Sequence, residues 1–337
     1  MDNITAEMDQ AQKIRTLIMA YGDANLVPDT GAIIVNQNHL SPAHLPALRR
    51  NLQTAQDRTG IPVLVATDQE GGKINRLKNF PPAQGMTFHS AEQMQSMSSQ
   101  QITMEGVQTG RMLDLAGVNT ILAPDLDAAV PGTLMYRQGR SFGANPAAVS
   151  PLAQCLVDGL RQGNPPLIII GKHFPGYNVK GNSDNMPVSD NASLEDEQNR
   201  SLPFFQVTKL DGIMVNSIRY AAIDPNGPAC FSNTIVRQWR DKFPDGLIMT
   251  DDLAAKGLIE SATVRANAKR AFSAGVDLLL VMDAAKQRDV EQGIADAIHD
   301  GGVSTEERQA RQNHLDAAVA RVVALALRNK RQGAPSV

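Results

Sequence analysis

Short apolar runs punctuate the chain at intervals wide enough for a helix between each pair. They are Gly31–Val35, Ile61–Ala66, Val118–Ala123, Leu167–Ile170, Gly212–Val215, Gly246–Met249 and Val276–Val281. Each is rich in branched residues and most lack clean polar/apolar alternation, the pattern of strands buried on both faces of a parallel sheet. The stretches between them carry helix signals. Ser41-Pro42 reads as an N-cap followed by Pro at the first helical position. Ser90…Gln93 and Ser304…Glu307 have capping-box spacing, in which each side chain satisfies an otherwise free amide of the first turn. The second of these opens a helix expected over about 304–331, and an N-terminal helix is expected over about 3–21.

Strand–helix alternation over this length predicts an α/β fold, either a barrel or a doubly wound sheet. The strand ends discriminate. Just after six of the seven runs stand Asn36, Asp68, Asp127, Lys172-His173, Asn216-Ser217 and Asp251. An Asp after a strand can be a helix N-cap, but a barrel gathers all its strand C-termini around one mouth, and six such groups favour that arrangement. The expectation is a (β/α)8 TIM-type barrel forming a single domain over residues 1–337, with an eighth strand that the pattern does not reveal.

Composition narrows the function classes. The chain has 337 residues and a formal net charge of −3, which gives no electrostatic footprint for nucleic acid or an anionic membrane. Cys155 and Cys230 have no metal-type or redox spacing and read as buried fillers in a reducing compartment. The first ten residues, MDNITAEMDQ, are polar and acidic, unlike a secretory leader, so the cytoplasm is the expected location. No dinucleotide glycine fingerprint, phosphate loop, zinc motif or nucleophile elbow occurs, and neither a metal nor an organic cofactor is expected.

Three segments carry chemistry. Ala66–Leu77 delivers Asp68 and Glu70 from a strand into a turn at Gly71-Gly72. Gly171-Lys-His-Phe-Pro-Gly176 leaves Lys172 and His173 at a strand tip. Gly246–Leu253 ends a buried strand in Asp251 and Asp252. These segments resemble the D-Q-E-G-G-R-V-x-R-L, K-H-F-P-G-H-G and S-D-D-L motifs of family 3 glycoside hydrolases of the single-domain bacterial β-N-acetylglucosaminidase type. Gly117–Asp127, Gly139–Gly143, Ala222–Pro225 and Ala274–Asp277 fit the same family in order, so the resemblance covers about residues 30–285. It implies a retaining hydrolase removing terminal β-linked N-acetylglucosamine, often from a peptidoglycan fragment. Asp251 would be the nucleophile, and Asp68, Arg140, Lys172 and His173 would hold the sugar, a small sugar or glycopeptide being the partner.

One part of the pattern is missing. The resemblance implies an acid/base His in the mobile loop after K-H-F-P-G-H-G, held by an Asp two residues earlier. Here the loop, Gly176–Pro187, contains no His, and the next one after His173 is His299. Tyr177-Asn178 replaces His-Gly, and Asn216-Ser217 stands where the family has Ala-His. Three readings stay open at this point. Asp184 serves as the acid/base, although Ser-Asp-Asn also suits a solvated turn; the protein is a non-catalytic sugar-binding relative; or the site takes an activated substrate whose leaving group needs no proton, or performs another glycosyl transfer. Aromatic residues are only 4% of the chain. Trp239 falls in a helical stretch and reads as core, leaving Tyr136 and Tyr177 as loop aromatics and arguing for a small, polar pocket.

Overall fold

A computed structural model describes residues 2–23, 25–162, 167–259 and 262–328. Eight parallel strands form its centre: β1 (Ile18–Tyr21), β2 (Ala32–Ile34), β3 (Leu64–Thr67), β4 (Thr120–Ile121), β5 (Ile168–Phe174), β6 (Gly212–Val215), β7 (Leu247–Thr250) and β8 (Leu279–Val281). Neighbours pair in chain order, β8 pairs with β1, and a bridge between Met249 and Leu278 joins β7 to β8. The ring is therefore the expected (β/α)8-type barrel. Its strands are buried along nearly their whole length because the barrel interior covers one face and the outer helices the other.

The N-terminal expectation needs correction. In place of one helix over 3–21 there are two short ones, Asp2–Glu7 and Gln10–Thr16, followed directly by β1. Asp9 caps the second through a reciprocal box with Gln12. The strand missing from the sequence reading was thus hidden at the end of the supposed helix. Ile18-Met-Ala-Tyr21 is too short to show a period, and its apolar residues continue the helical stripe of Ile14 and Leu17 without a break.

Ser90 and Gln93 form the full reciprocal box, whereas Ser304 supplies its half and the Glu307 carboxylate accepts from Arg311 instead. Ser90 Oγ accepts the Gln93 amide and Ser304 Oγ the Glu307 amide. The last helix is described over Thr305–Arg328, and its expected extension to 331 lies outside the described residues. Ser41 does not cap a helix, since residues 41–44 form turns and the helix begins at Leu45. Trp239 is 1% exposed and packs against Phe174, Phe205 and Phe243, a core residue as read. Among the described residues no helix is long and apolar enough to cross a membrane.

Candidate active site

The strand-end polar groups divide into two sets. Asn36 and Asn216 knit the backbone: Asn36 Oδ1 accepts the Asn38 amide, while Asn216 donates to the His173 carbonyl and the Tyr220 hydroxyl. Asp68, Asp127, Lys172 and His173 converge. Lys172 Nζ lies 2.6 Å from Asp68 Oδ1 and 2.6 Å from Glu70 Oε1. Arg140 grips Glu70 with both arms of its guanidinium, Nε to Oε2 at 2.7 Å and Nη2 to Oε1 at 2.9 Å, and reaches within 3.0 Å of Asp125 Oδ2. His173 Nδ1 is 2.7 Å from Asp127 Oδ2 and 3.1 Å from Asp125 Oδ1, and its Nε2 is 3.3 Å from Arg140 Nη2. All four sequence-predicted sugar-binding residues therefore share one network across β3, β4, β5 and the Gly139-Arg140 turn.

Local backbone geometry explains how consecutive residues reach the same network. The β5–β6 register shifts between Lys172 and Phe174, a bulge that re-aims Lys172 and His173. At the β3 tip, Gly71 has φ +82°, and a Cβ there would lie 2.0 Å from the His89 carbonyl oxygen. Only glycine permits this turn, which carries Glu70 back towards Arg140. The sequence reading did not place Glu70, Asp125 or Asp127 among the site residues. Their signal was present, since Glu70 lies in the same strand-to-turn segment as Asp68, and Asp125 and Asp127 follow a predicted strand.

Burial sets the electrostatics. Desolvation alone would favour the neutral forms of Lys172, His173 and Arg140, but the carboxylates outweigh it. Asp68 and Glu70 raise Lys172, Asp125 and Asp127 hold His173 up to about 10, and Glu70 and Asp125 raise Arg140. Burial likewise opposes ionisation of Asp127, yet the His173 charge pulls its carboxyl below the usual range. The two carboxylates on Nδ1 thus favour the protonated form of His173. Asp125, Asp127 and His173 offer donor atoms within 4.8 Å of one another, a spacing that could hold a metal ion. A metal would have to strip the proton from His173 and compete with Arg140 for Asp125, so the donor set fits an internal ion-pair cluster better.

The two acids after β7 also part company. Asp252 Oδ1 accepts the Met282 and Ala254 amides at 2.9 and 3.0 Å, tying β7 to the β8 tip. Among the described residues Asp251 accepts the adjacent Asp252 amide, at 2.9 Å, and it is half-buried at the mouth. Asp251 is therefore the acid with accepting capacity left for a ligand.

The glycosyl hydrolase family 3 N-terminal domain matches residues 8–325. A beta-hexosaminidase of Methylococcus capsulatus is 31% identical over 263 residues, covering 74% of this chain and 75% of its own. One from Tolumonas auensis is 29% identical over 267 residues, 74% of each. The chain belongs to glycosyl hydrolase family 3. Two solved structures share the fold at 24% identity. A family 3 beta-N-acetylglucosaminidase from Paenibacillus has a TM-score of 0.86, with 98% of this chain covered and 64% of the other. A beta-N-acetylhexosaminidase from Beutenbergia cavernae has a TM-score of 0.81, with 95% and 98% covered.

The acid-side loop of this family 3 domain is held from both flanks. On one side Val179 O accepts the Leu134 amide, Asn178 Oδ1 the Val130 amide, and Lys180 O the Arg137 guanidinium. On the other, the Lys256 amide donates to Asp184 O at 2.9 Å. Gly257 packs so closely that a Cβ would stand 2.2 Å from Ser183 O and 2.6 Å from Met186 O. Inside the loop, the buried Tyr177 hydroxyl accepts the Ser183 amide at 2.8 Å and donates to Gly181 O at 3.0 Å. Tyr177 is thus a clamp, while Tyr136 is 47% exposed. Asp184 is exposed as a residue, yet its carboxyl is raised above its ordinary value, first by desolvation and then by the Asp251 charge. His173 and Arg140 pull the other way.

Proposed function

We propose that this family 3 domain is a retaining β-N-acetylhexosaminidase that removes terminal β-linked N-acetylglucosamine, with a peptidoglycan fragment in the cytoplasm as its setting. The observation that carries the reading is the gathering of three elements at the strand C-termini: the ion-pair network of Asp68, Arg140, Lys172 and His173, the Asp251 carboxylate, and the Asp184 loop hooked to Lys256 just beyond β7. Relatives about 30% identical that bear the name beta-hexosaminidase support the substrate class.

Asp68, Arg140, Lys172 and His173 grip the hydroxyls of the terminal sugar through charge-assisted hydrogen bonds. The Asp251 carboxylate attacks the anomeric carbon as the glycosidic C–O bond breaks, and protonated Asp184 gives its proton to the departing oxygen. Asp184, now ionised, takes a proton from water, whose oxygen attacks the same carbon and releases Asp251. The raised Asp184 carboxyl suits this double duty, because a group that keeps its proton to higher pH is still protonated when the leaving oxygen needs it and is a stronger base in the second step.

The test compares an aryl N-acetylglucosaminide bearing a good leaving group with an N-acetylglucosamine disaccharide. Both should be hydrolysed, and Asp251→Asn should lose both activities by about 10³-fold or more. Saturable sugar binding without turnover of either substrate would instead mark a binding protein and overturn the proposal.

A further inference from the structure

Beneath the acid loop lies a pair of carboxyls that the reaction does not use. Glu197, in the first turn of the helix Leu194–Gln206, is 1% exposed, and among the described residues neither carboxyl oxygen has a hydrogen-bond donor aligned on it. Arg200 Nη1 stands 3.8 Å from Glu197 Oε1, but the same nitrogen is committed to Asp190 Oδ2 at 3.0 Å. The charged and titratable groups facing Glu197 are Asp190 from the end of the loop, Arg200 and Asp196 on its own helix, and the Tyr220 phenol. Two buried carboxylates sharing one guanidinium are costly, so one of them keeps a proton. Burial first and the Asp190 charge second push Glu197 up to about 8, against the pull of Arg200.

Asp190 and its neighbours tie down both ends of the loop. Ser189–Asp190 pairs with Arg219–Tyr220 as a two-stranded parallel ribbon. The Arg219 amide donates to Val188 O and the Ala221 amide to Asp190 O, both at 3.1 Å. From the same ribbon the Tyr220 hydroxyl donates to Gly176 O at 2.7 Å, where the loop begins. Asp190 Oδ1 accepts the Ala192 amide at 2.9 Å.

We propose that Glu197 is a positioning residue for the acid loop. Its protonated carboxyl donates to Asp190 and leaves Arg200 on Asp190, whereas its ionisation sets two carboxylates face to face, draws Arg200 away and loosens the ribbon. Only the consequence for turnover rests on Asp184 as acid/base.

Amide hydrogen exchange of the full chain between pH 6 and pH 9.5 reads the ribbon directly. In the wild type, exchange in residues 177–190 should exceed the intrinsic base-catalysed rise with a midpoint near pH 8, while the helix Ser99–Ala116 follows the intrinsic rise alone. Glu197→Gln, which keeps a donor without a charge, should abolish the extra exchange. The linkage has a defined sign: wild-type stability should decline from the unfolded value of about 4.5 up to about 8, because only the unfolded state loses the proton there, and the variant should lack that decline. The ratio of kcat at pH 9 to kcat at pH 7 should be about tenfold higher in the variant, the inverse of the tenfold ionisation one unit above the pKa. A wild-type loop with no excess exchange overturns the proposal even where the variant fails to fold. An unchanged kcat ratio in an active enzyme overturns the positioning role. If no turnover occurs at all, the hydrolase reading fails, and exchange still decides the role of Glu197 in the ribbon.

Discussion

On the β3–β5 side of the mouth, side chains hold one another: three cations, Lys172, Arg140 and His173, interlock with four carboxylates, Asp68, Glu70, Asp125 and Asp127. On the β7 side, Asp184 arrives on a loop fixed by backbone amides, one phenol and a glycine contact. The first arrangement ties stability to binding, since most members are charges largely withdrawn from water that need their neighbours. The second separates them in part, because the hooks at Leu134, Lys256 and Tyr177 can be loosened without uncovering a buried charge, and only the Asp190 end of the loop rests on buried ionisable groups. Substitutions in the loop are therefore expected to cost less stability than substitutions in the ion-pair network.

The largest effect should come from breaking the interlocked side. Lys172→Met removes the cation between Asp68 and Glu70, leaving Asp68 without its partner and Glu70 with Arg140 alone. A cost of about 3–5 kcal/mol is expected, because removing one partner of a buried pair strands the other. Denaturant unfolding should show it, together with loss of sugar binding; a variant as stable as wild type would show that the network adds nothing to folding. On the other side, Asp184→Asn should leave the unfolding midpoint within about 0.5 kcal/mol of wild type. It should slow hydrolysis of the disaccharide by about 10²–10⁴-fold, the usual worth of a general acid. Cleavage of the activated aryl substrate should suffer less in the first step. Equal losses on both substrates would remove Asp184 from the acid role.

The same contrast accounts for what the sequence revealed. Asp68, Lys172, His173 and Asp251 were readable because strand tips fix them: a buried apolar run ending in a charged residue has one mouth to point into. Arg140 was readable through its motif. Glu70 was quoted with Asp68 yet missed as a site residue, because its inward path depends on the positive φ of Gly71 and on the close approach to His89, which no period encodes. The clamp role of Tyr177 was equally invisible, since it rests on a hydroxyl meeting a backbone amide six residues on. β1 was lost because four apolar residues after a helix have no period of their own. Neighbour-dependent features stay hidden where local pattern is short or where the partner is backbone.

Two smaller substitutions sharpen the comparison on the loop side. Gly257→Ala would place a methyl 2.2 Å from Ser183 O and 2.6 Å from Met186 O, so the loop must move away. Overpacking of this kind costs about 1–3 kcal/mol. Much of that cost can be avoided by undocking the loop, so the expected signature is about a tenfold loss on the disaccharide with a smaller change in stability. A crystal structure with the loop undisplaced would refute the contact.

Tyr177→Phe is the mildest test and the most specific. The ring stays to pack edge-on against His173, so the sugar side should keep its geometry. Only the hydroxyl is lost, and with it the acceptor for the Ser183 amide and the donor to Gly181 O. A single net hydrogen bond is worth about 1 kcal/mol, with more at stake if the Ser183 amide stays buried and unpaired. The turn presenting Asp184 should therefore loosen while the outer hooks at Leu134 and Lys256 persist. Disaccharide hydrolysis should drop several-fold, about 1 kcal/mol of barrier, with sugar affinity unchanged. A parallel loss of affinity would mean that the clamp also supports His173, and that the two sides of the mouth are coupled through Tyr177.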